Sequence, residues 1–149
     1  MNLPRILGIL TAATPLLTGQ PAAGPLDAYR GAHRLIVLSL PEGSSTEKLN
    51  KTLTSQRLEI EDRNLIIIDV SEGKQRVATA VRPPLEQAST IRKQLQLSHA
   101  EKRPAFVLIG KDGGEKARSH DALNLEPWFA LIDAMPMRRA EIQKREATK

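Results

Sequence analysis

Three short apolar runs punctuate an otherwise mixed chain, and their spacing predicts the core of the fold. Arg34-Leu35-Ile36-Val37-Leu38-Ser39-Leu40 is rich in branched residues and closed by Pro41-Glu42-Gly43. Asn64-Leu65-Ile66-Ile67-Ile68-Asp69-Val70 and Pro104-Ala105-Phe106-Val107-Leu108-Ile109-Gly110 repeat the type. Continuous apolar runs of this length read as strands buried on both faces. Between the first two, Leu49, Leu53 and Ile60 recur at helical spacing behind Ser44-Ser45-Thr46-Glu47. That S-x-x-E spacing predicts a capping box, in which hydroxyl and carboxylate each satisfy a free backbone donor. Strand, helix and strand then form a βαβ unit with parallel pairing.

After a polar stretch, Ser71 to Thr79, and Pro83-Pro84, the positions Leu85, Ala88, Ile91 and Leu95 predict a second helix, to about Leu97. The third strand leads into Lys111-Asp112-Gly113-Gly114. Asp-Gly predicts a two-residue hairpin turn there, with a short charged return strand, Glu115 to Arg118, at the sheet edge. A last helix opens near Asn124 with Trp128, Leu131, Ile132 and Met135 on one face, and Pro136 is expected to kink or restart it. The order β-α-β-α-β-β-α is that of an α/β, thioredoxin-like three-layer sandwich.

The N-terminus carries a different signal. Met1 to Arg5 holds one basic residue, Ile6 to Leu17 is apolar, and small residues follow through Gly24. This is the layout of a secretory signal peptide, with cleavage expected after Ala23. The apolar run is interrupted by Pro15 and too short for a bilayer span. The expected organisation is a signal peptide over 1–23 and one domain over 24–149, exported to a periplasm or secreted, with no integral membrane segment after cleavage.

Composition narrows the chemistry. The 149 residues include 22 Lys+Arg against 17 Asp+Glu, no cysteine and four aromatic side chains. Without cysteine there is no disulfide, thiolate metal site, thiol nucleophile or thiol redox chemistry. A domain of this size builds its core without such staples. His33, His99 and His120 lie far apart, with no metal-ligand spacing. Asp62, Asp69 and Asp133 show no pairing for acid and base work. No cofactor is expected. The segment after Pro136 is basic, carrying Arg138, Arg139, Lys144, Arg145 and Lys149 against Glu141 and Glu146. Without aromatics for base stacking it does not suit nucleic acid; it reads as a solvated helix face laced with i,i+3 and i,i+4 pairs.

Four segments carry a family resemblance: the Arg34-Leu35-Ile36-Val37 strand start, Asp62-Arg63-Asn64, Gly110-Lys111-Asp112-Gly113-Gly114, and Ile132-Asp133-Ala134-Met135-Pro136-Met137-Arg138-Arg139. Over roughly Leu26 to Glu146 the chain resembles a thioredoxin/peroxiredoxin-like family of unknown function. That family occurs as single exported bacterial domains and within vertebrate extracellular proteins such as Equarin and sushi-repeat-containing proteins. Gly31-Ala32-His33 stands where the family pattern has an aromatic residue. The resemblance implies a thioredoxin-like fold and extracytoplasmic placement, and no established reaction.

Redox-active relatives of this fold place a thiol at the start of the helix after the first strand. Here that place is Pro41 to Thr46, where Ser44 is expected to cap rather than attack. Pro104 stands where thioredoxin-like proteins carry a cis-proline; if cis, Arg103-Pro104 lines a groove with Pro41, Ser45 and Thr46, open to an extended peptide. A second candidate is a docking patch of Met135, Met137, Arg138 and Arg139. The expected function is a non-catalytic binding or interaction module for an unknown protein or anionic partner. The alternatives are a cysteine-free enzyme acting in the Pro41-Thr46/Pro104 groove and an anionic-polymer-binding surface protein.

Overall fold

The structure, a computed structural model, describes residues 23–97 and 102–148. Residues 1–22 of the predicted leader, and His99, lie outside these residues. A short 3-10 turn, Asp27–Tyr29, leads into strand β1 (Arg34–Ser39) and helices α1 (Glu47–Ser55) and α2 (Arg57–Asp62). Strand β2 (Leu65–Asp69), helix α3 (Leu85–Gln94), strands β3 (Ala105–Ile109) and β4 (Glu115–Ser119), and helices α4 (Glu126–Asp133) and α5 (Pro136–Glu146) follow.

The sheet order is β2-β1-β3-β4. β1 pairs parallel with β2 and antiparallel with β3, and β3 pairs antiparallel with β4. Side-chain alternation along the strands feeds two cores. Ile36, Leu38, Ile67, Phe106 and Leu108 meet Leu53, Ile60, Trp128, Phe129 and Ile132 from α1, α2 and α4. On the other face Leu35, Val37, Ile68, Val107 and Ile109 meet Ala88, Ile91 and Leu95 of the α3 segment. Two apolar faces require two covering layers, so the strands read as continuous apolar runs and the architecture is the expected three-layer sandwich. Edge strand β4 is charged and largely exposed, which guards an open edge.

Local chemistry modifies several predicted elements. The first helix is broken at Gln56: the Ser55 hydroxyl donates to the Thr52 carbonyl, which also accepts from the Gln56 N–H. The last helix restarts at Pro136, whose missing N–H is harmless in a first turn. The hairpin forms, but through a longer loop than two residues. Gly110 accepts from the Gly113 N–H and donates to the Gly114 carbonyl, and only Gly113 has positive φ, at 81°. The capping box does not form. Thr46, not Ser44, is the N-cap residue and makes no side-chain cap bond. Ser44 closes a turn instead, its N–H and hydroxyl both donating to the Pro41 carbonyl, with Gly43 at φ 77° supplying the left-handed position.

Helix α3 ends in a Schellman arrangement, the Leu97 N–H on the Arg92 carbonyl and the Gln96 N–H on the Lys93 carbonyl. The left-handed residue is Gln96, at φ 53°. Glycine carries no Cβ penalty there, so Gln96→Gly is expected to raise stability by roughly 1 kcal/mol in denaturant unfolding.

Candidate functional site

The first candidate site forms where β1 runs into α1, opposite the start of β3. A long segment between β2 and α3 holds this end in place. The Arg82 guanidinium donates to the carbonyls of Ser71, Gly73 and Gln75. Gln75 Nε2 reaches the Pro41 carbonyl at 3.0 Å, and Asn50 Oδ1 accepts from the Ala78 N–H at 2.8 Å. The Pro41 turn and the side of α1 are therefore fixed by hydrogen bonds rather than by apolar packing alone.

The structure divides the five predicted groove residues. Pro41 and Arg103 line a small polar cavity of about 180 Å³ with Glu42, Glu72 and His120. Ser45 and Pro104 line a separate trough of about 350 Å³. Its apolar lining is Leu40, Leu49, Phe106, Ala122 and Leu123, and Ser44, Lys48 and Thr52 supply its polar lining. Thr46 lines neither; its hydroxyl accepts from Asn50 Nδ2 at 3.3 Å, which turns it along the helix. The Arg103–Pro104 bond is trans, since the described residues contain no cis peptide, so the cis geometry considered from sequence is corrected. Pro104 serves as part of an apolar wall.

Sequence reasoning missed most of this trough. By spacing Leu49 reads as a core residue, and it joins the core only as a partly buried member. Leu123 falls in a connection that carried no pattern. A third cavity of about 470 Å³, lined by Thr52, Gln56, Glu59, Leu123, Asn124, Glu126 and Phe129, adjoins the trough and shares Thr52 and Leu123 with it. Together they make a groove beside α1, between that helix and the connection from β4 to α4.

No thiol can stand in this groove. The Ser44 hydroxyl is spent on Pro41, and Lys48 makes no ion pair with the described residues. The described residues include no group of three His, Cys, Asp or Glu side chains that could hold a metal.

The second candidate lies at the other end of the sheet and is corrected in one respect. Arg138 does not belong to an exposed patch: it is 3% exposed. Its Nη1 donates to the Asp62 carbonyl at 2.8 Å, its Nη2 pairs with the Asp62 carboxylate, and its Nε meets Asp133 Oδ1 at 3.1 Å. Met135 packs against the core, leaving only Met137 and Arg139 of the predicted patch on the surface.

Around Arg138 runs an ion network. Glu141 receives both terminal nitrogens of Arg34, at 3.1 and 3.2 Å, and Lys111 Nζ at 2.6 Å. Arg63 donates to Asp133 at 2.5 Å and to Glu59 at 2.7 Å while lying 4.5 Å over the Phe129 ring. Arg145 closes on Asp62. Helix α5, otherwise poor in apolar residues, is thereby tied to α2, β1 and the β3–β4 loop.

These contacts shift the acids in one direction. The Arg145 hydrogen bond, helped by Arg138, holds Asp62 below the ordinary carboxylate range. Burial alone would raise Asp133 and Glu141, but their hydrogen bonds to Arg63 and Arg138, and to Lys111 and Arg34, outweigh it and lower both. A carboxyl with a lowered folded pKa contributes stability above its unfolded value, near 4, and loses it as pH falls through the folded value. Acid is thus expected to loosen α5 before the sheet. Amide exchange corrected for intrinsic rates accelerates first in 137–146 as pH falls from about 5 to about 2.

A three-layer sandwich of this order defines a thioredoxin-like protein, here one without the thiols of that fold's redox enzymes. The chain belongs to the family described as Domain of unknown function (DUF4174), which matches residues 25–141. Among solved structures it is similar to a reduced 2-Cys peroxiredoxin of Plasmodium vivax, at 15% identity and a TM-score of 0.58, over 77% of this chain and 72% of that one. It is also similar to thioredoxin peroxidase I of Plasmodium yoelii, at 16% identity and a TM-score of 0.55, over 77% and 79% of the two chains. These similarities establish the fold. No curated protein matches the chain. Thiol peroxidase chemistry has no nucleophile in this sequence. Among the described residues no helix is long and apolar enough to cross a membrane.

Proposed function

We propose that this protein is an exported, non-catalytic binding module whose ligand lies in the groove beside α1. The observation that carries this reading is the trough of about 350 Å³ at the thiol end of a thioredoxin-like fold, walled by Leu40, Leu49, Pro104, Phe106 and Leu123. It offers apolar area with hydroxyls and one cation in its lining, the composition of a recognition surface. A catalytic role would call for a nucleophile paired with a base, and the described groove residues supply neither pairing.

Export with cleavage after Ala23 would leave Gly24 as the first residue. Gly24 N lies 2.6 Å from Asp27 Oδ2. Cleavage there would convert that amide into an α-ammonium group already facing a carboxylate. Protein recovered from the exported fraction is accordingly expected to begin at Gly24 by mass.

The test of the binding reading is selection from a library of short peptides with wild type, Leu123→Asp and a Met137→Ala/Arg139→Ala double variant. Peptides retained by wild type and by the double variant, lost from Leu123→Asp and recovered with unchanged mass, support it. Cleaved or modified peptides point to an enzyme. Retention that depends on Met137 and Arg139 instead moves the site to α5.

A further inference from the structure

Resting on that reading, we infer that the groove takes an extended peptide of about five residues with an acidic group toward the Lys48 side, apolar side chains between, and a basic group toward Glu126. The groove carries opposite charges in its two cavities. Lys48 lines the trough, while Glu126 lines the adjoining cavity, which shares Leu123 with it. Neither side chain is ion-paired within the described residues, in contrast to Glu59 nearby, which is taken by Arg63. Both Lys48 and Glu126 are exposed, so each is solvated until a partner group arrives.

Length supports a peptide. From Ser45 to Gln56 the wall is mainly helix α1, which advances about 16 Å at 1.5 Å per residue. An extended chain covers that with about five residues at 3.3 Å each. The middle of the groove, at Leu49, Pro104 and Leu123, takes alternate apolar side chains. A fatty acid would match the Lys48 end but would bring its methyl terminus among Gln56, Asn124 and Glu126. Unpaired polar groups against that terminus count against it. A peptide supplies backbone donors and acceptors there, and a basic side chain for Glu126.

The experiment is calorimetric titration with blocked six-residue peptides sharing a Leu-Thr-Leu-Val centre and ending in Glu and Lys, two Lys, two Glu, or two Gln. Decanoate is titrated in parallel. Wild type is expected to prefer the Glu/Lys peptide over the Gln/Gln peptide by about threefold for each end, in keeping with exposed charge pairs. Lys48→Glu moves the preference to the two-Lys peptide, and Glu126→Lys moves it to the two-Glu peptide; raised salt flattens all three rankings. Using both substitutions makes the result independent of chain direction. Equal binding of all four peptides, still abolished by Leu123→Asp, overturns the charge polarity and leaves the groove reading standing. Decanoate bound more tightly than any peptide overturns the peptide as ligand. No binding by any probe overturns both readings.

Discussion

Replacing Glu141 by alanine is expected to lower stability by about 3–5 kcal/mol, the range for removing one partner of a buried ion pair. Glu141 is the shared acceptor for Arg34 and Lys111, which are 1% and 9% exposed. Without it two buried cations lose their carboxylate and have little access to water. The loss is therefore dominated by uncompensated desolvation rather than by the strength of any one contact. Glu146→Ala, at an exposed position of the same helix, is expected to change stability by no more than about 0.5 kcal/mol. Denaturant unfolding of the two variants measures the contrast. A Glu141→Ala loss below about 1 kcal/mol would place Glu141 among ordinary surface ion pairs.

The second large effect joins stability to the groove. Leu53 is fully buried and anchors α1 against the sheet. Leu53→Ala is expected to lower stability by about 2–5 kcal/mol, through lost transfer energy and the cavity left behind. Because α1 carries Leu49, Lys48 and Thr52 on the groove, a variant that still folds should also bind peptide more weakly. Its m-value should stay near that of wild type if the loss is local packing. Calorimetric titration below the unfolding midpoint checks the coupling: unchanged affinity would mean that the groove wall does not depend on this anchor.

The two ends of the molecule differ in how far the sequence discloses them. The sandwich was legible because three branched apolar runs and their amphipathic partners each depend on neighbours within a few residues. The groove was legible in part. Pro41, Ser45, Arg103 and Pro104 do gather at one end of the sheet, but the Pro41 turn divides them between two cavities. Leu123 and Glu126 come from a connection whose placement depends on tertiary packing.

The ion network was not legible as a structure, because its partners are distant in sequence: Arg34 and Glu141 are 107 residues apart, and Arg138 and Asp62 are 76 apart. A basic segment read alone looks like a solvated face. The only sequence signal was indirect. Arg34, Asp62, Arg63, Lys111, Asp133 and Arg138, drawn from all four segments that carry the family resemblance, meet in this one network. Packing of α5 gives a physical role to residues such as Asp133 and Arg138 that no local propensity explains.

The same network distinguishes the chemistry of the two ends. Arg34, Arg63, Lys111, Arg138 and Arg145 are held by carboxylates, whereas the groove beside α1 has apolar walls and two charges unpaired among the described residues, Lys48 and Glu126. The most direct measurement is backbone amide chemical-shift mapping of the protein titrated with the Glu/Lys peptide. Saturable shifts confined to 44–56, 105–106 and 122–129, absent in Leu123→Asp, are the predicted result. Shifts centred on 136–146, or peptide converted to a new species during the titration, would contradict the account.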